Sequence, residues 1–180
     1  MSAKAHSEIS LRKSKSVEEL KALLVEYAPN KQIEINHDKE RCYFGNIPTL
    51  AEINRIYDKQ AAVAWLIPQL TNLAEFSNCK TSFSEMQIRE CAEMIVSEYS
   101  YLKLSELMLF FYRFKCGVYE KFYGSVSPMT IMASLLIFLE ERRAEIKRLE
   151  SERTARAYKE SLKQAIPYEE YLKRKKSHKV

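Results

Sequence analysis

Between residues 84 and 143 the apolar side chains fall at three- and four-residue steps, and that spacing predicts three helices joined by two short connections. Ile88, Cys91, Ala92, Ile95, Val96 and Tyr99 share one face, while Glu85, Arg89, Glu90, Glu93 and Glu98 fall elsewhere around the turn, which predicts a half-buried helix. Ser84 and Gln87 have the spacing of a capping box at its start. From Leu104 the pattern changes: Leu107, Met108, Phe110, Phe111 and Phe114 leave little polar face, as in a helix surrounded by others. Cys116-Gly117 ends it, because glycine accepts the left-handed backbone that closes a helix. Ser127-Pro128 starts the third, with serine as N-cap and proline at the first helical position. Met129, Met132, Leu135, Leu136, Phe138 and Leu139 are expected to pack inward.

Upstream, a capping box at Ser16 and Glu19 leads a short helix with Val17, Leu20, Leu23, Leu24 and Tyr27 as its buried stripe, stopped by Pro29. Residues 30–46 show little helical period, so they read as loop, with at most a minor strand pair from Ile33, Ile35 and the run Cys42-Tyr43-Phe44. Thr49 and Glu52 repeat the capping pattern before a helix using Leu50, Ile53, Ile56 and Tyr57. In the apolar run 61–76, Trp65 reads as core and Pro68 predicts a kink or break near Ile67, since it lacks the backbone donor.

The third helix is expected to continue, because residues 140–164 contain neither Gly nor Pro. From Pro128 to Ala165 it would measure about 57 Å at about 1.5 Å per residue. Its stripe of Leu139, Arg142, Ile146 and Leu149 gives way to Arg153 and Arg156, too early for a coiled-coil seam. Pairs such as Glu145 with Arg148 and Glu152 with Arg156 suit a solvated single helix. The expected fold is therefore all-α: a multi-helix domain with a central three-helix unit and a long, charged C-terminal helix. Its organisation reads as a mobile arm at 1–15, a helical domain at 16–143, a charged helical extension at 144–166 and a basic tail at 167–180.

Composition narrows the function. Hydrophobic residues at 46% and charged ones at 29% match a globular chain. No apolar run approaches the ~20 residues that span a bilayer, and the first 15 residues lack a signal-peptide core, so the expected location is cytoplasmic, without a membrane partner. Cys42, Cys79, Cys91 and Cys116 are far apart and have no histidine nearby, which argues for reduced thiols and against a zinc site. His6, His37 and His178 fall in the arm, the expected loop and the tail. With no phosphate loop, nucleophile elbow or metalloprotease helix, the chain reads as a non-enzyme without metal or cofactor.

Charge is distributed unevenly. Residues 140–180 hold 13 Lys or Arg against 8 Asp or Glu, whereas residues 1–139 hold 16 of each, so the whole net charge of +5 is C-terminal. The run Lys173, Arg174, Lys175, Lys176 and Lys179 is the candidate for phosphate contact; the alternative is a solubilising tail. A second candidate is the loop 117–125, where Tyr119, Phe122 and Tyr123 lie beside Arg113, Lys115 and Lys121, the ring-and-cation pairing of single-strand binders. The same rings could instead plug the gap between the second and third helices.

The run Leu104-x-Glu106-Leu107, Phe110-Phe111-x-x-Phe114-Lys115-x-Gly117-x-Tyr119 and Phe122-Tyr123-Gly124-Ser125-Val126, followed by a helix reaching Glu141-Arg142-Arg143, resembles an uncharacterised helical family of gut bacteria, their phages and mobile elements. The resemblance covers roughly residues 84–143. Some of those relatives sit among replication genes, which implies a DNA-replication accessory but no established activity. The leading expectation is thus a non-catalytic accessory that meets DNA or RNA, and a replication or other protein partner. Its rival is an adaptor that binds a protein through a protruding C-terminal helix. The oligomeric state stays open.

Overall fold

The computed structural model describes residues 18–77, 83–119 and 126–164, and among them the chain is all-α. Helices follow in the order α1 (18–26), a 3-10 turn Pro29–Lys31, α2 (Gln32–His37), α3 (Lys39–Phe44), α4 (Leu50–Ile56), α5 (Ala61–Ser77), α6 (Glu85–Tyr99), α7 (Leu104–Lys115) and α8 (Pro128–Gln164). The described residues divide into two compact units between Glu140 and Glu141. The arm at 1–15 and the tail at 167–180 lie outside the described residues.

In the first unit α7 is the centre. Every residue from Leu104 to Phe111 is buried, as is Phe114, and α2, α3 and α5 pack around it. Phe110 meets Phe111, Phe114 and Phe138 with ring centroids 5.2, 5.9 and 5.7 Å away, so one ring joins α7 to the first turns of α8.

Helix starts follow the sequence. Thr49 Oγ1 accepts from the Glu52 N–H, and the Glu52 carboxylate accepts from the Thr49 N–H and hydroxyl; those two bonds to the carboxylate hold it below the usual range. Ser84 and Gln87 make the same reciprocal pair, and Ser127 Oγ accepts from the Thr130 N–H at 3.2 Å. The start of α4 is pinned to the α6–α7 connection, where the Leu50 N–H donates to Leu102 O and the Leu104 N–H to Pro48 O. At the end of α7, Gly117 takes φ of 70°, the left-handed conformation expected of it.

One expectation is corrected and one narrowed. Residues 30–46 are not loop or strand but the short helices α2 and α3. Asp38 caps α3 by accepting from the Arg41 N–H at 2.8 Å. Most of what holds this stretch is distant in sequence: Gln32, Cys42 and Tyr43 are buried, Ser105 Oγ donates to Cys42 O at 2.7 Å, and Lys103 Nζ donates to the carbonyls of Tyr43 and Gly45 at 2.8 Å each. Of the kink or break expected at Pro68, the break is absent: α5 runs from Ala61 to Ser77 with Pro68 inside it. Burying Trp65, Leu66, Leu70 and Leu73, each worth about 1.5–3 kcal/mol, exceeds the ~3 kcal/mol cost of an interior proline.

Two substitutions test this account by urea unfolding. Phe110→Ala removes the ring shared by α7 and α8 and is expected to cost about 3–5 kcal/mol. Gly117→Ala meets no atom within 4 Å, so only the left-handed backbone resists it, and a loss of about 1–2 kcal/mol is expected.

Candidate functional site

The ring-and-cation group expected at the end of α7 is built largely into the core. Tyr119 is 8% exposed and stacks on Phe110, with centroids 5.6 Å apart and planes at 29°. Phe114 lies 6.5 Å away, and the Arg113 guanidinium sits over the Tyr119 ring at 5.7 Å. Of the two readings left open for these rings, the packing one describes this residue: Tyr119 fills the interior against α7. Lys121, Phe122 and Tyr123 lie outside the described residues, as do Lys173, Arg174, Lys175, Lys176 and Lys179.

Lys115 also turns toward the chain's own side chains. Its side chain is half-buried, and its ammonium donates to Gln32 Oε1 at 2.9 Å and to Asn72 Oδ1, with the Phe76 ring 5.6 Å away. A lysine engaged in this way is not poised for a phosphate. It ends a polar chain running inward: Gln32 Nε2 donates to Gln69 Oε1 at 2.6 Å, and Gln69 Nε2 and Trp65 Nε1 both donate to Tyr27 O, at 2.7 and 3.0 Å. These partners are neutral, and burial pushes Lys115 below its ordinary value of 10.5. The chain ties the end of α1 to α2, α5 and α7. Sequence reasoning missed it, although Gln69, one turn from both Trp65 and Leu73 in an apolar run, marked a polar group on a buried face.

Other candidates for chemistry are modest. A cavity of about 90 Å³ is lined by Glu26, Tyr27, Lys31, Glu34, Ile35, Asp38 and Arg41. That is small against the several hundred Å³ of ordinary ligand sites. Its carboxylates are engaged: Glu34 pairs with Lys31 at 2.9 Å, and Asp38 caps α3. Among the described residues, no three His, Cys, Asp or Glu side chains gather where they could hold a metal ion. Cys42 and Cys91 are buried cysteines, burial pushing the Cys91 thiol up to about 11, and Cys116 is an exposed one. Cys79 lies outside the described residues. Among the described residues no helix is long and apolar enough to cross a membrane.

What remains is the outward face of α8. Met129 and Leu136, expected to pack inward, are 82% and 56% exposed, whereas Leu135, Phe138 and Leu139 fill the core as expected, together with Ile131. The run is apolar nearly all round, so helical period alone could not choose the buried side. Among the exposed side chains of α8 are three adjacent rows of 11-residue spacing: Met129, Glu140, Ser151 and Leu162; Ala133, Ala144 and Ala155; Leu136, Lys147 and Tyr158. Ile137 is exposed beside Leu136. An 11-residue step is three turns of about 3.67 residues, so these rows stay on one side of the helix. Elsewhere on α8, Arg148 pairs with Glu145 at 2.9 Å and also with Glu152. The second unit keeps every described side chain of 151–163 exposed.

A model described as that of a family of unknown function matches residues 83–180, from just before α6 through the end of the chain. No curated protein and no solved structure matches.

The Lys115 assignment is testable by pH. The folded chain releases this proton before the unfolded chain, where lysine titrates near 10.5, so below 10.5 the unfolded state binds more protons. Wild-type stability should therefore rise relative to Lys115→Met as pH climbs through the lowered value toward 10.5, then level off. Urea midpoints for the two proteins that stay parallel across that window would contradict the assignment.

Proposed function

The chain belongs to DUF6633, a family of unknown function, and from that footing we propose that it is a non-catalytic protein-interaction module whose docking element is α8. The observation that carries this reading is the outward face of that helix, where Met129, Leu136, Ile137, Tyr158 and Leu162 are all exposed. Scattered exposed apolar residues are ordinary, whereas a row of them along one helix is how amphipathic helices meet a partner. Ala133, Ala144, Ser151 and Ala155 between them are small enough for a second helix to approach closely.

The nucleic-acid reading has less support in the described residues. Lys115 and Tyr119 are committed to the interior, and residues 140–164 hold 8 Lys or Arg against 6 Asp or Glu. A setting among replication proteins of phages and mobile elements, which the sequence resemblance implies, suits an adaptor, since an accessory of that kind acts by gathering other proteins.

Photo-crosslinking in the producing cell tests the proposal. With a photoreactive residue at Leu136 or Tyr158, adducts of discrete protein mass are expected; at Arg153, on the opposite side of α8, they are not. Absence of any protein adduct from either face position overturns the reading. So does duplex-DNA binding by the full chain whose log–log salt slope flattens by about four to five units when the chain ends at Ile166, as the loss of five phosphate contacts requires.

A further inference from the structure

We propose that the partner α8 takes is a second copy of this chain, laid antiparallel along the exposed face, with Glu140 of each copy opposite Lys147 of the other. This rests on α8 being the docking element. It goes further by naming the occupant and the register.

Charge and shape both select that arrangement. Along these three rows, with the exposed Arg143 and Arg148 on the flanks, the ionic residues are Glu140 and Lys147, of opposite sign and two turns apart. Among the described residues neither is paired within its own chain. A parallel pair in register would set Glu140 against Glu140 and Lys147 against Lys147. An antiparallel pair, with its two-fold axis between Arg143 and Ala144, sets each glutamate against the other copy's lysine, twice over, because a two-fold interface repeats every contact.

The same register orders the rest of the face. Met129 meets Tyr158 of the other copy, so the large exposed side chains pack at both ends. Leu136 falls over Ser151, large against small. Ala144 lies at the axis, where the two backbones must come closest. The 11-residue spacing keeps the line of contact from drifting around the helix.

The area sets the strength. Overlap from Met129 to Tyr158 is about 45 Å long, and a helix strip about 10 Å wide gives roughly 450 Å² per copy. About 900 Å² in all lies among weaker, reversible associations. The pair should therefore form and dissociate with concentration.

Sedimentation velocity of the full chain from about 1 to 200 µM is the test. A monomer giving way to a dimer across that range is expected. Lys147→Glu or Glu140→Lys alone should weaken the dimer about tenfold, since each places like charges together at two symmetric points. The double reversal, Glu140→Lys with Lys147→Glu, should restore it to within about threefold of wild type. All these positions are exposed, so circular dichroism should show unchanged helix content. A chain that stays monomeric at about 200 µM overturns self-pairing; if cross-linking from Leu136 still captures another protein, the adaptor reading survives that failure. A dimer indifferent to both single reversals overturns the antiparallel register, as does a double reversal that fails to rescue.

Discussion

A helix with no polar side has to be covered on every side, and α7 imposes that requirement on the first unit. Its eight consecutive buried residues, Leu104–Phe111, need more apolar cover than one neighbouring helix supplies. The cover comes from α2, α3 and α5, from Phe138 of α8 and from the Tyr119 ring. The demand also reaches polar groups. Glu106 is fully buried with its carboxylate accepting the Lys103 N–H, Ser105 donates to Cys42 O, and Lys115 is drawn into amide contacts at the helix end. Side chains that look suited to an external ligand are used up in enclosing this one element.

That constraint explains which features were legible in the sequence. Helix starts at Thr49, Ser84 and Ser127 are local hydrogen-bond chemistry and could be read from spacing of a few residues. So could the central position of α7, the glycine that ends it and the extension of α8 past Arg143. Residues 30–46 could not be read this way, because helices of six residues are too short to persist alone and owe their form to distant side chains such as Lys103 and Ser105. The direction of Tyr119 and Lys115 was equally hidden. A ring and a cation beside a glycine have the same spacing whether they face a core or a solvent, and only the position of Phe110 and Gln32 decides between them.

The outward face of α8 shows the opposite limit. Its first turns carry apolar residues on all sides, so periodicity assigned Met129 and Leu136 to the core together with Leu135 and Phe138. Only the packed helix separates them. Once separated, the exposed positions near the start of α8 hold a surplus of buried-type residues, Met129, Leu136 and Ile137. The proposed role follows from that surplus: among the described residues the fold uses one side of α8 and leaves the other, equally apolar near its start, uncovered.

Lys103 supplies the carbonyls of Tyr43 and Gly45 with donors, and Lys115 does the same for Gln32. During synthesis the N-terminal end leaves the ribosome first, so the segment holding α2 and α3 emerges some sixty to eighty residues ahead of the groups that complete it. Over that interval it has α5 to settle against, through the Gln32 bond to Gln69, but the rest of its burial must wait for α7 to be translated. The N-terminal half of the domain is therefore made early and finished late.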